Sequence, residues 1–214
     1  MMVVKTFVCN MLDENCYVVS DDSRECVIID CGAFTDEEKR AIVDYITSEN
    51  LKPVHLIATH GHLDHNFGNK MVYDTYSLRV EVGSADVAMI GNARKHAKNF
   101  YHYELGYDLP PVGHTIADGD IITFGNHSLE VISTPGHSAG SACLYCKEEN
   151  MLFSGDTLFR TSIGRTDLGG GSMMQIIQSL RRIAQLPDNT TVYPGHGIKT
   201  TIGYELNFNP FMDR

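Results

Sequence analysis

Four apolar runs in this chain each end in a small residue or turn followed by a side chain that can bind a metal. "HLIATH" ends in His60, "EVISTPGH" in His137, "NMLFSGD" in Asp156 and "TTVYPGH" in His196. Each run is short, apolar and stopped by turn residues, which is the pattern of a strand. Open sheets gather their chemistry at the carboxyl ends of strands. A fold that respects all four runs therefore has to bring four strand ends, distant along the chain, to one edge.

The first run continues as "THGHLDH", with His60, His62, Asp64 and His65 inside six consecutive residues. On an α-helix these positions would point roughly 0°, 200°, 40° and 140° around the axis. They would not converge on one ion. In a loop leaving a strand, with Gly61 permitting a sharp turn, they can. The helical H-E-x-x-H arrangement of zinc peptidases is thereby excluded.

The rest of the chain reads as strands with helices interspersed. "MVVKTFV", "NCYVVS" and "ECVIID" are strands. Thr35 and Glu38 form a capping box for a helix that carries Ile42, Tyr45 and Ile46 on one side and stops before Pro53. "PVHLIA" and "RVEV" are strands, a helix begins near His65 or Asn66, and "SADVAMIGNARKHA" is a helix. After the irregular "NFYHYELGYDLPPVG" come the strands "DIITF", "SLEVIS", "SACLYC" and "NMLFS", then a helix over 172–186, the strand "TTVY" and a short terminal helix. The expected architecture is two mixed sheets packed together with helices outside, in one domain over residues 1–214.

Composition narrows the partners. A net charge of −10 argues against a nucleic-acid backbone or an anionic membrane surface, both of which select basic faces. No apolar run reaches the length of a membrane-spanning helix, and the N-terminus does not read as a signal peptide, so a cytoplasmic location is expected. Oligomeric state leaves no trace in the sequence. The six cysteines show no disulfide framework, and the lone "CLYC" lies in a strand where Cys143 and Cys146 face opposite ways, as buried packing residues.

The candidate ligands are His60, His62, Asp64, His65, His137, Asp156 and His196. Imidazoles and carboxylates suit zinc, iron or manganese and exclude a thiolate-built centre. Seven ligands are too many for one closed tetrahedral ion and suit two ions sharing a carboxylate, with room for water. Such a pair, about 3.5–4 Å apart, activates water and clamps a substrate oxygen, which is hydrolytic chemistry. His55, His96, His102, His114 and His127 are read as ordinary solvated or packed histidines. A rival lies in "GHSAG", which matches the serine-hydrolase elbow at Ser138. The elbow needs a following helix, whereas "SACLYCKEENMLFS" reads as strand, turn and strand, so Ser138 is assigned to the turn presenting His137.

Together, "THGHLDH", "TPGHSAGS", "FSGDTLF" and "YPGHG" resemble the successive motifs of the metallo-β-lactamase superfamily, over nearly the whole chain. The resemblance implies an α+β fold, a four-layer αβ/βα sandwich of two mixed sheets flanked by helices. It implies one metal on His60, His62 and His137, another on Asp64, His65 and His196, and Asp156 bridging. Zinc is the expected metal, with iron or manganese also accommodated, and the implied attack is by a hydroxide between the metals. "GDTLFRTSIGRTDLGGGS" and "YPGHGIKTTIGYELNFNPF" are most similar to glyoxalase II-like hydrolases of the short bacterial type, implying hydrolysis of thioesters such as S-lactoylglutathione. Asp64 and Asp156 are then the catalytic carboxylates, and Arg160, Arg165 and Lys199 the cations for an anionic glutathione conjugate. Two departures weaken the glutathione part. The helical region that follows the sandwich in full-length glyoxalase II is missing, and Arg165 and Asp167 stand where that enzyme has lysine and tyrosine. Persulfide dioxygenases, using one iron on the first three histidines, share "GRTD" but not "YPGHG". Two segments keep two readings. "FYHYELGY" is a lid or a core cover, and "GGGS" is an anion site or the approach to a Ser172 cap.

Overall fold

The computed structural model describes residues 1–213. Strands β1 (Val3–Cys9), β2 (Glu14–Ser20), β3 (Glu25–Ile29), β4 (Lys52–Ile57), β5 (Val80–Gly83) and β6 (His114–Ile116) form the first sheet in sequential order. Its first three strands are mutually antiparallel, and β3 to β6 run parallel. The second sheet contains β7 (Ile121–Phe124), β8 (His127–Ser133), β9 (Ala142–Cys146) and β10 (Met151–Gly155). A two-stranded hairpin, β11 (Leu158–Phe159) and β12 (Ser162–Ile163), stands apart before β13 (Thr191–Pro194) and β14 (Thr200–Thr201) complete that sheet, in the order β14-β13-β10-β9-β8-β7. Only β10 and β13 pair in parallel there.

Helices on both outer faces make four layers, as the resemblance implies. The reason is legible in β2, every residue of which is buried. Successive side chains of a strand face opposite ways. Tyr17 and Val19 accordingly enter the core between the sheets, with Ile29, Ile57, Val131, Leu144 and Phe153, while Cys16 and Val18 face outward. Helices α1 (Asp36–Ser48) and α2 (Asn69–Tyr76) cover that outward side with Ile42, Ile46 and Val72. On the second sheet, Cys143, Tyr145 and Leu152 are covered by Leu180 and Ile183 of the helix Met173–Ile183 and by Ile202 of the helix Ile202–Phe208. Strands flanked by apolar layers on both sides need the near-continuous apolar runs seen in the sequence.

The expected caps are present. Thr35 and Glu38 form the reciprocal capping box, and the same Glu38 carboxylate also accepts from the Asn10 amide, tying α1 to the first hairpin. Ser172 caps α5 (Met173–Ile183) by accepting from the Gln175 amide, so the "GGGS" stretch is a helix approach. Cys143 and Cys146 lie in β9 facing different cores, and all six cysteines are free and buried.

Three expectations need correction. The single helix over "SADVAMIGNARKHA" is instead a short 3-10 turn, α3 (Val87–Gly91) and α4 (Ala93–Tyr101), broken at Asn92. The helix expected from His65 starts later, as α2, because His65 belongs to a 3-10 turn (Leu63–His65). Strands β6, β11, β12 and β14 go unread, being two or three residues long with no periodicity to register. After these comes α6 (Ile202–Phe208), and among the described residues no helix is long and apolar enough to cross a membrane.

Asp21, at the end of β2 remote from the ligand loops, clamps the two sheets together. It accepts from the Ser23 amide, the Asn126 amide at 2.6 Å and His127 Nδ1 at 2.9 Å. Burial pushes this carboxyl up, but the hydrogen bonds from Ser23, His127 and Asn126 outweigh it and hold the group below the usual carboxylate range. The clamp is therefore fully effective above the unfolded carboxyl pKa near about 4 and is lost as pH falls through the lower folded value. We expect Asp21→Asn to cost about 2 kcal/mol at pH 7 in denaturant unfolding, with the difference from wild type closing in acid.

Candidate metal centre

All seven side chains singled out in the sequence meet at one edge of the sandwich, where β4, β8, β10 and β13 end. His60 and His62 leave β4, Asp64 and His65 occupy the 3-10 turn after it, and His137 sits in the β8–β9 turn. Asp156 and His196 directly follow β10 and β13. Gly195, just before His196, packs so closely on Asp156 and His65 that a side chain there would collide with both.

Nitrogen and oxygen atoms fall into overlapping groups whose members all lie within 4.8 Å of one another: His60, His62 and His137; Asp64, His65 and His196; and His60, His65 and Asp156. Asp156 links the first two. Its Oδ2 is 3.4 Å from His137 Nε2, and its Oδ1 is 3.4 Å from His65 Nε2. Asp64 Oδ2 lies 3.3 Å from His196 Nε2 and 3.6 Å from His65 Nε2.

Hydrogen bonds behind the cluster decide which ring nitrogens face inward. His137 Nδ1 is 2.8 Å from the Arg165 carbonyl and His196 Nδ1 is 2.9 Å from the Leu12 carbonyl. A carbonyl only accepts, so both Nδ1 atoms donate and both Nε2 atoms are left as lone pairs. His60 follows by the same logic. The Thr59 hydroxyl donates its one proton to Asp30 Oδ2, and so accepts from His60 Nδ1. Asp30 also holds the Thr59 amide and lies 3.1 Å from His65 Nδ1. Tyr101 donates to Asp64 Oδ1 at 3.0 Å, leaving Oδ2 turned toward the histidines.

Electrostatics divide the imidazoles: burial acts to lower His65 and His196, but the surrounding carboxylates outweigh it and raise both. Burial drives His60 well below the usual imidazole range, with the neighbouring histidines adding to it, and brings His62 down to about 4. Both are neutral at pH 7. Burial also acts to raise Asp64 and Asp156, but His65 and the other histidines overcome it, leaving both carboxylates ionised. Glu14 goes the other way. Fully buried, with Oε1 3.8 Å from His65 Nδ1, it is held well above the carboxylate range because burial outweighs the lowering by His65.

Buried polar groups are normally satisfied, yet His60 Nε2, His65 Nε2 and Asp156 Oδ1 have no hydrogen-bond partner. Unpartnered ring nitrogens and a carboxylate oxygen, converging from an all-nitrogen-and-oxygen set, are what divalent cations of the zinc, iron and manganese type require. The residues fit such a group.

The cluster opens into a cavity of about 810 Å³ lined by His62, Asp64, His137, Asp156 and His196 at its floor, and by Met11, Leu12, Met89, Phe100, Tyr101 and Leu168 toward its mouth. Of the three cations expected to meet substrate, only Arg165 lines it. The Arg160 guanidinium stacks 4.4 Å from the Tyr204 ring, and exposed Lys199 is not among the lining residues. His96, read from the sequence as ordinary, does line the cavity. The "FYHYELGY" segment covers core and lines the cavity. Leu105 buries against Phe67, Ala93 and Ala97, while Phe100 and Tyr101 form cavity wall. Ser138 is fully buried, bonded to Asp86 and Ser141 and absent from the lining, so it is no elbow nucleophile.

Sequence reading missed Asp30, Thr59, Asp86 and Tyr101. Asp30 had a signal, since "VIID" also ends an apolar run in an acid. Asp86 had none, yet it joins the two histidine loops, accepting from the Gly61 amide at 2.8 Å, the Gly140 amide at 2.8 Å and Ser138 Oγ at 2.6 Å. Asp86→Asn, which must turn an amide N–H toward one of these donors, is expected to weaken retained metal by about 10–100-fold, read by chelator competition.

Comparison with known proteins agrees with this geometry. Residues 10–196 match the metallo-beta-lactamase superfamily. An uncharacterised protein of Aquifex aeolicus is 34% identical over 98% of this chain and 97% of its own length. The probable metallo-hydrolase YqgX of Bacillus subtilis is 31% identical over 92% and 90%, and the hydroxyacylglutathione hydrolase GloC of Haemophilus influenzae 29% identical over 94% and 93%. Among solved structures, the B3 metallo-beta-lactamase BLEG-1 superposes with a TM-score of 0.90 at 34% identity, covering 99% of this chain and all of its own. TTHA1623, solved in a di-iron-bound form, gives 0.86 at 33% identity, covering 98% and 100%. With the fold, the ligand edge and the sequence match in agreement, this chain belongs to the metallo-β-lactamase superfamily.

Proposed function

We propose that the chain is a binuclear metal-dependent thioester hydrolase of the glyoxalase II type. The observation that carries this reading is the junction of two ligand groups through Asp156, whose Oδ2 lies 3.4 Å from His137 Nε2 of the first group and 3.7 Å from His196 Nε2 of the second, and whose Oδ1 lies 3.4 Å from His65 Nε2. His60, His62 and His137 would hold one ion, Asp64, His65 and His196 the other, and Asp156 both. When bound, such a pair lowers the pKa of a water toward neutrality and polarises a substrate carbonyl. Zinc is the expected metal, and the di-iron form of TTHA1623 supports iron as an occupant of the same donor set.

The protein's own groups supply preorganisation. Carbonyls of Leu12 and Arg165 and the Thr59 hydroxyl hold three imidazoles in the metal-binding tautomer before any ion arrives. Tyr101 holds the Asp64 rotamer, and the depressed pKa values of Asp64 and Asp156 keep both anionic at neutral pH. The cavity floor is narrow and polar and its wall apolar, which admits an acyl group and limits water around it. In the reaction, the oxygen of water bonds to the acyl carbon, the carbon–sulfur bond breaks, and the sulfur leaves with the electron pair and takes a proton.

Support comes also from GloC and YqgX, whose names describe hydrolases of this size. The second ligand group, completed by Asp64 and His196, weighs against a persulfide dioxygenase that needs only the first three histidines. Likeness to BLEG-1 favours a β-lactam amide as the second reading.

Metal-loaded protein should release thiol from S-lactoylglutathione, measured with a thiol-reactive chromophore, and a chelator should abolish the release. Asp64→Ala and His196→Ala should each lower kcat/KM by more than about a hundredfold. Oxygen uptake with a persulfide that survives loss of His196, or turnover confined to β-lactams, would defeat the proposal. Ser138→Ala should keep more than about a tenth of the activity, whereas loss of a serine nucleophile costs orders of magnitude more.

A further inference from the structure

The mouth of the cavity is greasy, and the one Lys or Arg that lines it is paired. Met11 and Leu12, on the turn of the first hairpin, are 53% and 48% exposed, Phe100 of α4 is 62% exposed, and Met89 and Leu168 continue the apolar lining. Each Å² of such surface that a ligand covers is worth about 25 cal/mol, and exposed apolar surface gathered at one place marks a binding site.

Arg165 is the one Lys or Arg among the lining residues, and its guanidinium is already taken. Nε and Nη2 each donate at 2.7 Å to a different oxygen of Asp167. Both groups are exposed, so the bridge itself is weak and an incoming anion could win the guanidinium. Doing so would strand the Asp167 carboxylate two residues away, and the local charge would still sum to zero. His96, the remaining basic side chain of the wall, is lowered by burial and by Lys95 and is neutral at pH 7. A chain of net charge −10 adds no attraction of its own.

Resting on the hydrolase reading above, we infer that this site takes thioesters with an uncharged, apolar acyl chain and a thiol part free of anionic groups, in preference to glutathione conjugates. Asp167 acts as the specificity-determining residue by cancelling Arg165, and Met11, Leu12 and Phe100 receive the apolar portion.

Matched substrates separate the terms. S-hexanoyl-N-acetylcysteamine and S-hexanoylglutathione share the acyl group and differ in the thiol part, which is small and neutral in the first and a tripeptide of net negative charge in the second, so the Asp167→Asn and salt responses isolate the charge; the corresponding S-hexyl thioethers bind without reacting. With metal-loaded wild type, the neutral thioester should have the higher kcat/KM by about tenfold, and calorimetry should rank the thioethers in the same order. Asp167→Asn, a surface change, should lower that neutral-to-anionic ratio about fivefold by unmasking a cation, and added salt should restore it. Phe100→Ala should lower kcat/KM for hexanoyl more than for acetyl thioesters. A wild-type preference for the glutathione member, or a ratio indifferent to Asp167→Asn, overturns the inference while leaving the hydrolase reading in place. Neutral thioether binding more tightly while neither thioester is hydrolysed overturns the hydrolase reading and upholds the specificity of the mouth.

Discussion

Buried carboxylates hold this molecule's working edge together. The loops that carry His60, His62 and His137 have almost no regular structure of their own, and their backbone donors would be orphaned if nothing inside accepted from them. Asp86 accepts from both loops at once, and Asp30 accepts from Thr59 at the root of the first loop. A carboxylate taking several hydrogen bonds in a low-dielectric interior forms strong, directional contacts. It is also intolerant of any loop position that leaves it unsatisfied. Geometry at the site is thus set by groups that never touch its centre.

The same economy of contacts runs from the first hairpin. Its turn gives the Leu12 carbonyl to His196, Asn10 to the Asp64 carbonyl, and Asn15 to the Pro194 and Gly197 carbonyls. The first sheet thereby positions a ligand carried by the second. Met11 and Leu12 of that turn stand exposed at the mouth of the cavity. One hairpin therefore serves both the metal-binding floor and the substrate-facing rim, which couples the orientation of His196 to the shape of the opening.

Burial and charge pull against each other throughout the cluster, and the outcome differs residue by residue. His60 and His62 yield to burial and stay neutral, whereas His65 lies among Asp156, Asp64 and Asp30 and is raised well above the imidazole range despite being fully buried. An arrangement this rich in opposed charge is costly without cations at its centre. Metal binding and the stability of this edge are for that reason linked.

What the sequence determined by itself was the ligand set and the layered architecture. Short apolar runs ending in "ATH", "TPGH", "SGD" and "YPGH" carry their chemistry at strand ends, and a continuous apolar run such as that of β2 demands apolar layers on both sides. These signals are local, so they survive in one dimension. Only the tertiary structure decided the rest. Asp86 looks like part of one helical stretch and Tyr101 like part of an irregular segment until the structure sets Asp86 against the histidine loops and ends α4 with Tyr101 on Asp64. Arg160 and Arg165 look alike as surface cations until one stacks on Tyr204 and the other is clasped by Asp167 at the cavity wall. Which partner a polar group finds depends on residues far away in sequence, and hydrogen-bond direction and net local charge exist only once those residues have met.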